Sequence, residues 1–125
     1  MQITIEEKDK YNKYFIYNYL PRYMYSIIEN SYSSYKTKKL RKELNVNILS
    51  VYKFAIEKIS IVESGDTYVI SINKNLKYKD YNLNSLINYI TYGNRTIKGY
   101  NLLHVLFNYI SKNIADIYVE WLNNN

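Results

Sequence analysis

The chain has 125 residues, 47% of them hydrophobic, and a formal net charge of +6. That length suits one domain, 1–125, built around a single apolar core. With no cysteine, three glycines and one histidine, the composition excludes disulfides, cysteine-held zinc, thiol nucleophiles and the usual glycine-rich phosphate loops.

The first segment reads as helix. Thr4 and Glu7 fit a capping box, and Ile16, Leu20, Met24, Ile27 and Ile28 repeat at helical spacing. Pro21 either kinks this helix or opens a second one running to about Tyr32. The acidic start of the chain lacks the basic and apolar regions of a secretory signal, and no apolar run approaches the roughly 20 residues of a membrane span. Tyr11, Tyr14, Tyr17, Tyr19, Tyr23 and Tyr25 surround the helix, and aromatic side chains all round require more than one cover. In so small a domain the second cover is expected to be another protein chain. The chain has 17 tyrosines. Part of that bias reflects AT-rich coding, which also favours Asn, Lys and Ile and hence positive charge. Each Tyr nevertheless couples an apolar body to a polar tip, a combination suited to subunit contacts.

Residues 30–35 read as a polar loop. The basic residues Lys36, Lys38, Lys39, Arg41 and Lys42 then open a short helix over about 37–49. From Val51 the apolar period becomes two, with Phe54, Ile56 and Val62 alternating against Ala55, Ile59 and Ile61. A turn at 63–66 and a β-branched run at 67–72 complete an antiparallel hairpin over about 52–73. A polar connection over 73–82 leads to a helix capped by Asn84, carrying Leu86, Ile87 and Ile90 and stopping at Gly93. Beyond a loop with Arg95 and Lys98, the last helix places Leu102, Leu103, Leu106, Ile110, Ile114, Ile117 and Trp121 on one stripe. The order α, α, β, β, α, α predicts an α+β fold, a small antiparallel sheet packed with N-terminal and C-terminal helices.

Chemistry is sparse. His104 lies in an apolar run and has a packing or surface role; with scattered acids it makes no triad and no metal set. The expectation is a protein that is not an enzyme, with no metal, cofactor or small-molecule substrate. The basic residues 36–42, beside Tyr32 and Tyr35, are either a solvated helix face or the candidate nucleic-acid contact.

The segment from Leu83 to Leu103, with Tyr89-Ile90-Thr91-Tyr92-Gly93 at its centre, resembles the tail-completion and minor tail (head–tail connector) proteins of tailed bacteriophages. In that family a hairpin precedes an aromatic-acidic-aromatic-Gly signature, then a loop and an apolar closing segment; here Thr91 stands at the acidic position. Residues 59–72 correspond to the hairpin and 100–109 to the closing segment, so the resemblance covers about 48–112. It implies a virion structural protein that forms a ring at the neck or tail after synthesis in the host cytoplasm, without catalysis. Tyr89, Tyr92, Gly93, Arg95, Lys98, Gly99 and Tyr100 would then contact sister copies and neighbouring portal, neck or tail proteins. Non-specific contact with DNA would fall to the basic cluster. The alternative function is a small basic viral nucleic-acid-binding or regulatory protein.

Overall fold

The computed structural model of the chain describes residues 1–32, 47–93, 99 and 101–124. Its first element is a strand, β1 (Gln2–Ile5), where the capping-box spacing predicts a helix start. Two features decide against the helix. Ile3 and Ile5 alternate with exposed Gln2 and Thr4 and are both buried, the side-chain pattern of a strand with one face covered. Glu7, which the box needs in a helical turn, has φ 55, in the left-handed region that an α-helix cannot use.

After a 3-10 turn at Lys8–Lys10, the Asn12 side chain accepts a hydrogen bond from the Tyr14 amide at 2.8 Å and opens the first helical region. A π-helical turn, Phe15–Tyr19, runs directly into α1 (Leu20–Tyr32). There the Leu20 amide donates to the Phe15 carbonyl, five residues back. The widened turn makes room for Pro21, whose ring offers no amide and crowds the preceding turn. Pro21 thus occupies the first turn of α1, and the helix runs to Tyr32, so residues 30–32 are helical and not the start of the polar loop expected over 30–35, whose other residues lie outside the described ones.

Asn47 caps α2 (Ile48–Glu57), its side chain accepting from the Leu49 and Ser50 amides at 2.9 and 3.3 Å. This corrects the strand expected from Val51. Ile48, Val51, Tyr52, Ala55 and Ile56 are all buried, at the spacing of one helical stripe. Ile48 and Leu49 therefore begin a helix instead of ending the basic one predicted over about 37–49, whose other residues lie, up to position 46, outside the described residues.

The hairpin is present but shorter than 52–73: β2 (Ser60–Ser64) pairs antiparallel with β3 (Thr67–Ser71), from Ser60 opposite Ser71 to Ser64 opposite Thr67. Gly65, with φ 59, turns the chain between them. β1 pairs antiparallel with the other side of β3, Gln2 opposite Ser71 and Ile5 opposite Tyr68, giving the order β1-β3-β2. The polar connection contains a miniature two-stranded ladder, β4 (Lys77–Tyr78) and β5 (Tyr81–Asn82). The next helix, α3 (Leu83–Tyr92), is capped by Asn82, not Asn84: the Asn82 side chain accepts from the Ser85 amide at 2.9 Å. It stops at Gly93 as expected. α4 (Leu102–Asn123) closes the chain.

The result is a small α+β fold, an antiparallel sheet flanked by N- and C-terminal helices. Leu102, Leu103, Leu106, Ile110 and Ile117 of the expected α4 stripe are buried, and α4 packs over β1 while α1 packs on α2. The two ends of the chain meet in an aromatic cluster. The Phe15 ring lies 4.8 Å from Tyr118, 5.4 Å from Trp121 and 5.6 Å from Tyr19. Tyr11 meets Tyr118 at 4.9 Å, and Tyr14 stacks on Trp121 at 6.4 Å. For Tyr11 and Tyr19 the chain's own α4 supplies the second cover, whereas Tyr14 keeps 55% of its surface exposed.

Candidate functional site

The contact residues implied by the resemblance run from the end of α3 to the start of α4. Tyr92 closes α3 with 72% of its surface exposed, and Gly93 beside it has φ 70, a conformation that favours glycine. Gly99 returns against the same helix end. A β-carbon there would fall 2.7 Å from the Tyr92 carbonyl carbon, 2.9 Å from its oxygen and closer still to the Thr91 carbonyl oxygen, so a side chain collides with backbone. The Tyr92 ring meets His104 edge-on at 5.9 Å. Tyr92, Gly93, Gly99 and His104 are thereby brought together.

Tyr89 is not part of that group. It is half-buried and lines a separate hollow with Tyr81, Asn82, Ser85 and Leu86. Arg95, Lys98 and Tyr100 lie outside the described residues, as do Lys36, Lys38, Lys39, Arg41 and Lys42. His104 is half-buried, and its Nδ1 is buried with no hydrogen-bond partner among the described residues. Burial pushes its pKa down, and the N-terminal ammonium adds to the effect, because both disfavour the charged imidazolium.

A separate exposed apolar surface lies between α4 and α1. Val105 and Tyr109 are 52% and 45% exposed, and they border an open cleft of about 400 Å³ lined also by Tyr23, Ile27, Leu102 and Leu106. Tyr23 and Tyr109 are hydrogen-bonded through their side chains; burial first, and then that bond, push the Tyr23 phenol up to about 12. The Tyr23 hydroxyl therefore stays protonated at neutral pH. Val105 and Tyr109 escape a search for the core stripe because each stands one position before a stripe residue, Leu106 or Ile110, and so points about 100° away from it. An apolar pair four residues apart and off the stripe is the signal that marks them.

Among the described residues no group of three or more His, Asp or Glu side chains is placed to hold a metal ion, and no helix is long and apolar enough to cross a membrane. Comparison of the chain with protein-family models, with curated proteins and with solved structures gave no match.

Proposed function

We propose that this chain is a structural subunit of a tailed-bacteriophage particle and acts by assembly, as part of a ring at the head–tail junction or in the tail. The observation that carries the reading is exposed apolar surface, Val105 and Tyr109 at the cleft between α1 and α4 and Tyr92 at the end of α3. Covering apolar surface is favourable in proportion to the area removed from water, and aromatic anchors beside a pocket contribute most of the energy of an interface. The occupants are sister copies and the adjoining portal, neck or tail protein. The viral setting comes from the resemblance over about 48–112.

Arg95 and Lys98, outside the described residues, would add charged contacts to the neighbouring subunit. The basic cluster of residues 36–42, also outside the described residues, is the candidate contact with DNA where the ring encloses it, and such a contact is independent of base sequence and weakened by salt. Mass spectrometry of virions purified from the phage that encodes the chain, followed by imaging of the neck, tests the setting. The pair Val105→Asp and Tyr109→Glu tests the face: both side chains are exposed, so the variant should fold and yet enter particles about tenfold less, or not at all. Absence of the wild-type chain from particles rejects the virion setting. Undiminished incorporation of the variant rejects the face.

A further inference from the structure

α4 turns a second face outward, opposite its buried stripe. Val105, Tyr109, Lys112, Asp116, Val119 and Asn123 are all exposed, and they follow one another at alternating intervals of four and three residues. That is the spacing of a seam along which two helices pack side by side. Val105, Tyr109 and Val119 keep about half of their surface in water. The Tyr109 ring is held by its hydrogen bond to Tyr23, so one aromatic anchor is already in position. Between the apolar residues stand the one lysine of the helix and an aspartate. Neither Lys112 nor Asp116 takes part in an ion pair among the described residues. They also stand in the order, base before acid, that makes the weaker pair within a helix.

Run against itself in the opposite direction, this seam is complementary in a single register. Where Lys112 meets Asp116 of a second copy, Tyr109 meets Val119 and Val105 meets Asn123, and a two-fold axis repeats each contact with the roles exchanged. Ala115, exposed, lies beside that axis, where its small side chain lets the helices approach closely. Glu120, the other acid of the helix, falls near Asn108 and meets no like charge. A slip of one heptad either way sets the two charges against Tyr, Val or Asn side chains. The parallel, in-register arrangement fails outright, because it sets Lys112 on Lys112 and Asp116 on Asp116. We infer that α4 is a dimerisation helix: two copies of this chain pair antiparallel through the face from Val105 to Asn123, with Lys112 and Asp116 matched in both directions. A different protein fits less well, since it would have to bring a base and an acid in the same order and spacing, which a sister chain presents without further requirement.

The inference rests on the reading of Val105 and Tyr109 as an interface but not on the viral setting, and it is tested on the purified whole chain. Sedimentation equilibrium at concentrations up to about 1 mM should show monomer and dimer in exchange. Lys112→Glu and Asp116→Lys, both at exposed positions, should each weaken the dimer about tenfold or more by setting like charges together. An equimolar mixture of the two variants should recover it, because the new carboxylate of one faces the new ammonium of the other. A folding defect is not repaired in this way. The chain has no cysteine, so Ala115→Cys should be joined to its copy by a short bis-maleimide. Val105→Cys should stay unlinked, its counterparts lying roughly 27 Å apart along the helix at about 1.5 Å per residue. The inference is overturned if the wild-type chain is monomeric throughout, if the dimer tolerates both charge variants, or if their mixture stays monomeric. Linkage at Val105→Cys without linkage at Ala115→Cys overturns it as well. A monomer that still enters particles would reject the pairing alone, and a dimer absent from particles would reject the virion setting alone.

Discussion

His104 packs an imidazole where a proton is unwelcome. Burial and then the nearby N-terminal ammonium hold its pKa below the ordinary value of 6.5, and its Nδ1 finds no acceptor among the described residues. The unfolded chain therefore takes up the proton more readily than the folded one. Its contribution to stability is complete above about pH 6.5 and is lost as the pH falls through the depressed folded value. Urea unfolding between pH 7.5 and 5 should show the midpoint dropping with acidification. In His104→Gln the drop should be smaller, and parallel curves for the two proteins would assign it elsewhere. Glu63 sits in the opposite situation: the Tyr17 hydroxyl donates to it at 3.0 Å and Lys8 pairs with it at 3.2 Å. Its carboxyl is held below the usual carboxylate range, by the Tyr17 bond first.

The end of α3 depends on close backbone contact. Gly99→Ala drives a methyl into the Thr91 and Tyr92 carbonyls, an overpacking expected to cost about 1–3 kcal/mol. Gly65→Ala is the comparison: Gly65 has a positive φ, which Gly99 does not, and nothing lies within 4 Å of a β-carbon there, so at Gly65 only a backbone penalty of roughly 1 kcal/mol applies. Thermal melts should rank Gly99→Ala as the more damaging, and equal losses would remove the packing argument. Signals of this local kind are what made some elements legible in sequence. Gly93 stops α3, Gly65 turns the hairpin, and one long stripe defines α4. The region from Ile48 to Val62 was ambiguous because its apolar residues fit periods of both two and 3.6; the Asn47 cap and the burial of Val51, Tyr52 and Ala55 resolve it as helix up to Glu57. β1 was hidden for another reason: four residues carry little period, and their partner strand lies at Thr67–Ser71. Of the contact residues on the described surface, Tyr92, Gly93 and Gly99 come together, whereas Tyr89 faces another hollow. Val105 and Tyr109 carry an off-stripe apolar signal in sequence, and the packing of α4 against α1 shows the cleft they border.

Phe15 is the point at which the two ends of the molecule are tied. It has no exposed surface, and the side chains around it come from both helical ends, Tyr19 on one side and Tyr118 with Trp121 on the other. Phe15→Ala should cost about 3–5 kcal/mol, the range for emptying an aromatic site in a core. Hydrogen exchange should then show β1 and the last turns of α4 losing protection together. Loosening confined to the first helical region would disprove the tie. The tyrosine-rich start could not reveal this from sequence, since composition shows that the rings need covering and only tertiary packing shows that much of the cover comes from α4.

That arrangement has a consequence for how the protein is made. The Asn12 amide and the Tyr118 hydroxyl, bonded at 3.0 Å, are 106 residues apart. A growing chain leaves the ribosome with its first aromatic rings bare and gains their lid only when the stretch around Tyr118 and Trp121 emerges. At about 5–20 residues per second the delay is on the order of ten seconds. Chains cut short before Tyr118 are therefore expected to aggregate more readily than the full chain, because their first aromatic rings stay bare.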